Sequence, residues 1–133
     1  MVNRIAPLCV VSMLILNTPS AAYADGNAIL PKCQAAIRVG EGDARAFDAK
    51  DLADANFCIG LAQGVTQTLR ALQTVVPGIA CLPPDGIPNG QAIRVFLKFL
   101  TDHPEKLHEA ETFLLTQALH DAFPCAAPAN SPH

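Results

Sequence analysis

The chain has five cysteines, of which Cys9 lies in an apolar N-terminal run. The other four constrain the possible folds more than any other feature: Cys33, Cys58, Cys81 and Cys125. An even number of cysteines in a small exported domain indicates two disulfides, and four cysteines can pair in three ways. Zinc is the competing interpretation. However, the chain has no C-x-x-C motif and no two histidines at helical spacing, so we predict disulfides and no metal site.

The N-terminus carries the export signal on which the disulfide interpretation depends. An arginine precedes an almost wholly apolar run at residues 5–16, and Ala22 and Ala24 form an A-x-A cleavage motif. This pattern predicts a secretory signal peptide over residues 1–24, a mature chain that begins at Asp25 and a periplasmic location. The apolar run is short for a bilayer span, which disfavours the alternative of an uncleaved membrane anchor.

The remaining sequence is the size of one small domain. Removal of 24 residues leaves 109 of the 133, with eight Lys and Arg against twelve Asp and Glu, a net charge of −4. The chain has no basic stripe and no aromatic platform, which argues against nucleic-acid binding. No later apolar segment is long enough to cross a membrane. We expect one domain over residues 25–125 and a disordered tail over residues 126–133.

Apolar residues recur at spacings of three and four, which predicts an all-α domain of four to five helices without strands. The first helix is expected at residues 27–39, with Pro31 near its first turn, where the missing N–H costs little. The second begins at Asp51 or Asp54 and ends near Val75. The third covers residues 91–101, and the fourth follows at once with Pro104 at its first position.

Two of the predicted helices have explicit core stripes. The second helix is expected to bury one set of apolar residues: Phe57, Leu61, Val65, Leu69 and Leu72. The fourth is expected to bury another set, widened by neighbouring large apolar residues: Leu107, Ala110, Leu114, Ala118 and Ala122.

The connections between helices favour one of the three disulfide pairings. In an antiparallel helical hairpin, facing residues lie at equal distances from the turn. The midpoint of Cys33 and Cys58 falls in the first connection, and the midpoint of Cys81 and Cys125 falls at His103 in the last one. We therefore predict two helical hairpins, each closed by one disulfide, Cys33–Cys58 and Cys81–Cys125.

Gly60 and Gly64 lie four residues apart on one face of the predicted second helix. A glycine inside a helix costs roughly 1 kcal/mol relative to alanine, so a compensating contact is expected. Either a neighbouring helix of the same fold approaches closely, or the glycines form the seam of a homodimer. The spacing alone does not choose between these alternatives.

Groups that could perform catalysis are scarce. Bridged cysteines offer no nucleophilic thiol. The only serine after the predicted signal peptide is Ser131, so a serine triad has no nucleophile. His103, His108 and His120 are expected to lie at a helix cap or on a solvated face. We predict no catalytic residue, no cofactor and a binding protein rather than an enzyme.

Three segments resemble a known family when they are taken in order. They are "FCIGLAQGV" (residues 57–65), "CLPPDGIPNGQAIRVFLKFLTDHPEKLH" (residues 81–108) and "ALHDAFPC" (residues 118–125). Together they resemble the Rap1a/Tai family of periplasmic immunity proteins, which is associated with type VI secretion. Leu61 departs from the family pattern, in which an aromatic residue commonly stands at that position.

The resemblance implies a small, helical, disulfide-bonded periplasmic protein that is often dimeric. In the characterised branch such a protein neutralises a cell-wall amidase effector by covering its active site. The alternatives are a small periplasmic chaperone or stress protein, and an enzyme or ligand-binding domain.

The surface we predict to bind the partner is the proline-rich loop at residues 82–89. Its prolines would fix the shape of the loop and its aspartate would supply charge. The predicted binding residues are Pro83, Pro84, Asp85 and Asn89. The alternative is that this loop only turns the chain between the two hairpins.

Overall fold

The computed structural model describes residues 24–43 and 48–126. Within them the chain forms four α-helices and one short 3₁₀ turn, and no strand. The elements are α1 (Gly26–Gly40), α2 (Ala49–Leu72), α3 (Asn89–Asp102), the 3₁₀ turn (Pro104–Lys106) and α4 (Glu111–Ala122). The all-α prediction is confirmed. The predicted signal peptide and tail lie outside the described residues, apart from Ala24 and Ala126.

Aspartates set the starts of the first two helices. The Asp25 carboxylate accepts the Ala28 N–H at 2.9 Å, and the Asp48 carboxylate accepts the Asp51 N–H at 2.7 Å. Each bond satisfies a backbone donor that has no partner within its helix. α1 begins one residue earlier than expected, so Pro31 lies inside the helix, in its second turn, rather than in the first turn.

The four helices form two hairpins around one core. α1 packs mainly on α2, and α3 packs on both α1 and α4. Both predicted disulfides are present, with Cα–Cα distances of 5.1 Å for Cys33–Cys58 and 4.9 Å for Cys81–Cys125. Apart from Cys33 and Cys58, the largest fully buried side chains come from every helix except α2: Ile29, Phe96, Leu100, Leu114, Leu115 and Leu119. α2 contributes mostly small buried residues instead.

The predicted core stripe of α2 is partly wrong. Phe57 is 46% exposed, and Leu61, Val65 and Leu72 are only half-buried. The face that α2 buries is rotated towards smaller residues: Ala55, Cys58, Ala62, Thr66 and Leu69. The disulfide to Cys33 brings the Cys58 side inwards, and the small side chains next to it let α1 pack closely.

The predicted start of the fourth helix is wrong. Pro104 begins a 3₁₀ turn, and α4 begins only at Glu111. The carbonyl oxygens of Leu107 and Glu109 accept backbone N–H groups of the α1 start, each at 3.2 Å. The bond to Glu109 and a bond from the Glu111 N–H to the Ala24 carbonyl oxygen, at 3.2 Å, form an isolated antiparallel bridge between Asp25 and Ala110. This bridge uses backbone groups that a helix would pair within itself. Of the predicted stripe, Leu114 and Ala118 are buried, but Ala122 is exposed.

Candidate functional site

The proline loop is defined here as residues 82–89, which form the last part of the connection between α2 and α3 and include the first residue of α3. Its tip is a β-turn in which the Gly86 N–H donates to the Pro83 carbonyl oxygen at 2.8 Å. Pro84 occupies the second position and Gly86 the fourth, where turns of this kind favour these residues. Gly86 has a φ of +78°, a conformation that glycine adopts without strain. The turn presents Pro84 and Asp85 to solvent.

Contacts before and within the turn hold the loop in place. Leu82 is 4% exposed and packs into the core. Its backbone N–H donates to the Gln73 side-chain oxygen at 3.1 Å. Arg70 of α2 donates to the Pro84 carbonyl oxygen at 2.9 Å. One buried leucine and two hydrogen bonds therefore anchor the loop to the fold, while its tip is exposed to solvent.

The loop and α2 together form a small polar groove of about 140 Å³. Asp85 and Asn89 lie on its loop side, and Gln63, Gln67 and Arg70 lie on its α2 side. Asn89 is the first residue of α3 rather than part of the turn. Two of the four predicted binding residues thus meet at one groove, and Pro83 and Pro84 belong to the turn beside it.

The outer face of α2, defined by Phe57, Gly60, Gly64 and Thr68, is exposed. A Cβ built on Gly60 or Gly64 would meet no atom within 4 Å. The expectation that these glycines admit a neighbouring helix of the same fold is therefore wrong for the described residues. The homodimer seam stays a prediction.

A comparison with protein families shows to which family this chain belongs. The model of the Rap1a immunity proteins matches residues 25–125. The chain belongs to the Rap1a immunity protein family. No curated protein and no solved structure matches it. The matched range contains both hairpins, both disulfides and the proline loop.

Cysteines, histidines and acidic residues are the side chains most relevant to catalysis or metal binding in the described part of this Rap1a domain. Its four cysteines are all in disulfides, and none of its His, Cys, Asp and Glu residues form a group of three or more that could hold a metal ion. No helix in the described ranges is long and apolar enough to cross a membrane. His120 donates from Nδ1 to the Ile79 carbonyl oxygen at 2.9 Å, so its ring braces the chain.

The other two histidines of this domain, His103 and His108, lie in different environments. His103 caps the end of α3, stacks on Phe99 at 4.5 Å between ring centroids and lies 3.3 Å from the Glu105 carboxylate. A hydrogen bond from the Glu105 backbone, with a smaller contribution from His103, lowers the pKa of the Glu105 carboxyl. His108 is exposed. The histidines of the Rap1a domain thus brace or border helix ends.

Sequence reasoning missed the α2 side of the groove. Gln63, Gln67 and Arg70 share one helical face, because their spacings are four and three residues. That spacing alone could have grouped them, but nothing in the sequence shows that the proline loop folds back onto them. The Rap1a domain therefore presents a composite polar surface rather than an isolated loop.

Proposed function

We propose that this Rap1a-family protein is an exported immunity protein of a type VI secretion system. It binds a peptidoglycan amidase effector through the proline loop and the adjoining groove, and it covers the active site of that enzyme. It acts by binding and needs no cofactor. The observation that carries the proposal is the preformed, solvent-exposed turn at Pro84 and Asp85 on a domain of the immunity family.

The geometry of the loop suits an inhibitor. A loop that is already ordered loses little conformational freedom on binding, so more of the contact energy becomes affinity. Arg70, Gln73 and the buried Leu82 hold the exposed turn in place. A rigid projecting turn can enter a concave active site, and its neighbouring groove can accept polar groups at the rim of that site.

Charge favours a basic partner. The segment after residue 24 carries twelve acidic against eight basic side chains. Many of the basic residues are paired with carboxylates within the fold, as in Lys32–Asp54 and Arg94–Glu41. Asp85, in contrast, is exposed at the tip of the loop. Complementary charge would accelerate encounter with a basic effector and would help to fix its orientation.

Export to the periplasm is part of the proposal. Disulfides persist in oxidising compartments, and this domain contains two of them. The apolar N-terminal segment with its A-x-A motif would direct the chain through the inner membrane. A cell-wall amidase acts in the same compartment, so the two proteins would meet there.

The outer face of α2 is proposed as the seam of a homodimer. Residues 55–69 of α2 contain no charged side chain, although many of these residues are exposed to solvent. In a twofold interface the same surface patch of each subunit meets its copy, so an uncharged face avoids repulsion between like charges. Gly60 and Gly64 leave open space for the backbone of a second helix, and the exposed Phe57 ring would cover its edge.

Affinity capture tests the proposed function. The mature chain, oxidised and immobilised, is exposed to a panel of purified peptidoglycan amidases, including any toxin encoded beside its gene. Retention of one amidase and inhibition of its hydrolysis are expected. A protein that binds no amidase in the panel, and that instead suppresses aggregation of denatured clients in mild acid, would be a chaperone and not an immunity protein.

A further inference from the structure

The two disulfides differ in how far solvent reaches them. Cys33 is 0% exposed and Cys58 is 1% exposed, inside the core between α1 and α2. Cys81 is exposed and Cys125 is half-buried. A dissolved reductant must disturb the core to reach the first bond, whereas it meets the second bond at the surface of the folded protein.

An open cavity of about 730 Å³ gives access to the exposed disulfide, which forms part of its wall. The remaining wall includes Gly78, His120 and Pro124. Hydrogen bonds hold this wall in place, because His120 donates to the Ile79 carbonyl oxygen and the Cys81 N–H donates to the Phe123 carbonyl oxygen at 3.1 Å. Access to the bond therefore needs no local unfolding.

We propose that the Cys81–Cys125 disulfide is a thiol–disulfide exchange site for dithiol reductants, and that Cys33–Cys58 is not. A thiolate of the reductant attacks the Sγ atom of Cys81, the more exposed of the two residues, and forms a mixed disulfide. Cys125 leaves as a thiolate and takes up a proton. The second thiolate of the reductant then displaces Cys81, which is protonated in turn. Two electrons pass to the protein, and the dithiol becomes a disulfide.

Reduction at this site acts on the proline loop, which begins one residue after Cys81. It removes the covalent tie between the loop and the chain that follows α4. The hairpin of α1 and α2 stays closed by its own disulfide, and the loop keeps the contacts of Arg70 and Gln73. The reduced protein therefore remains helical, while the loop exchanges its backbone amides faster. The consequence for partner binding rests on the proposed function, but the exchange chemistry does not.

Differential alkylation of the native protein tests the exchange site. The oxidised chain is treated with dithiothreitol without denaturant and quenched with iodoacetamide at intervals, and its peptides are weighed. Cys81 and Cys125 are expected to be alkylated at least ~10-fold faster than the other pair, because exchange rates follow access to the sulfur. In denaturant the two pairs should react at similar rates. Equal rates in the native protein, or earlier labelling of Cys33 and Cys58, would overturn the inference.

A double variant tests the local effect of reduction. Cys81→Ser combined with Cys125→Ser should keep the far-UV circular dichroism of the wild type and should show faster hydrogen exchange at Leu82 and Ile87. Loss of helical signal would contradict a local role for this bond. Amidase binding by the oxidised and the reduced wild type then separates the two proposals. Selective reduction with unchanged affinity would leave the exchange site standing and would show that the tie to the chain after α4 does not govern partner binding.

Discussion

Gly26 lies so close to Leu107 that a Cβ on Gly26 would stand 2.8 Å from the Leu107 Cα atom. The same Cβ would also stand 2.8 Å from a methyl carbon of Leu114. The backbone of α1 thus contacts the segment between the 3₁₀ turn and α4 directly. This contact joins the N-terminal hairpin to the C-terminal one at a point where only glycine fits.

Gly26→Ala should therefore destabilise the protein. One extra methyl group in a packed site with backbone on one side costs about 1–3 kcal/mol, because the neighbours cannot move away without breaking the bridge. Denaturant unfolding followed by circular dichroism measures the loss. Gly40→Ala is the matched control, since a Cβ there meets nothing within 4 Å. A variant at Gly26 as stable as this control would show that the contact is not close in solution.

A substitution on the outer face of α2 should have two opposite effects, a more stable monomer and a weaker dimer. Gly60→Ala should stabilise the monomer by about 0.5–1 kcal/mol, because alanine restricts the unfolded chain and meets open space in the fold. The same methyl group should weaken the proposed dimer, because it keeps the two helices apart. Denaturant unfolding and sedimentation equilibrium measure the two effects on one sample.

The dimer prediction has its own control. Gly40→Ala also adds a methyl group to open space, but on α1 and away from the outer face of α2. It should leave the dimer dissociation constant of the wild type unchanged. A wild type that stays monomeric at every concentration, or a Gly60→Ala protein that dimerises as well as the wild type, would reject this seam.

Local sequence pattern predicted the helical class, the hairpins and both disulfides, because these depend on apolar spacing and on distance from a turn. It failed where a distant part of the chain competes for the backbone hydrogen bonds of a segment. The spacing of Leu107, Ala110 and Leu114 fits a helix, but the N–H groups of Gly26 and Asn27 bind carbonyls of this segment from 80 or more residues away. No periodicity in the segment itself reveals that competition.

The same limit applies to packing and to the candidate site. Phe57 looked like a core residue by its spacing, but the Cys58 disulfide turns the neighbouring face inwards. Asp85 and Asn89 could be chosen from the loop composition. Their partners Gln63 and Gln67 could not, because that pairing exists only once the loop has folded back on α2.

Asp54 links α1 and α2 and makes stability depend on pH. Its carboxylate accepts a hydrogen bond from Lys32 at 2.7 Å and another from Lys50, which lower the pKa of Asp54 from its ordinary value of 3.8. A carboxyl whose pKa is lower in the folded state stabilises the fold above its unfolded pKa and loses that contribution as pH falls through the folded value. The contribution should therefore be full near neutral pH and should disappear below pH 3.8.

Comparison with Asp54→Asn isolates this contribution. The difference in the free energy of unfolding between wild type and variant should be largest near pH 6 and should shrink as the pH falls below 3.8. Asp121→Asn, on the exposed end of α4, should follow the wild type throughout. A constant difference between wild type and Asp54→Asn across the whole range would contradict the linkage.

The buried disulfide should contribute strongly to the stability of the fold. Cys33→Ser combined with Cys58→Ser should lower the free energy of unfolding by about 3–4 kcal/mol, from the released chain entropy alone, and should also bury two hydroxyl groups. Urea unfolding measures the change. A loss below about 1 kcal/mol would mean that α1 and α2 hold together without their covalent tie.

Asp85 should contribute to partner binding as the exposed charge at the tip of the proline loop. Asp85→Ala should raise the dissociation constant of the amidase complex about tenfold, the effect of a residue that contributes more than most contact residues in an interface. Asp121→Ala removes an equal charge at the end of α4 and serves as the control. Calorimetric titration of the captured amidase measures both. Equal weakening by the two variants would indicate a general effect of charge and no specific contact at the loop.

Inhibition of peptidoglycan hydrolysis tests the central claim most directly. The amidase retained by affinity capture is assayed on purified cell wall while the oxidised, mature chain is titrated into the reaction. Hydrolysis should cease when the chain reaches one equivalent per active site, and the Asp85→Ala protein should require a clear excess. Full hydrolysis in the presence of a saturating amount of the wild-type chain would contradict the account.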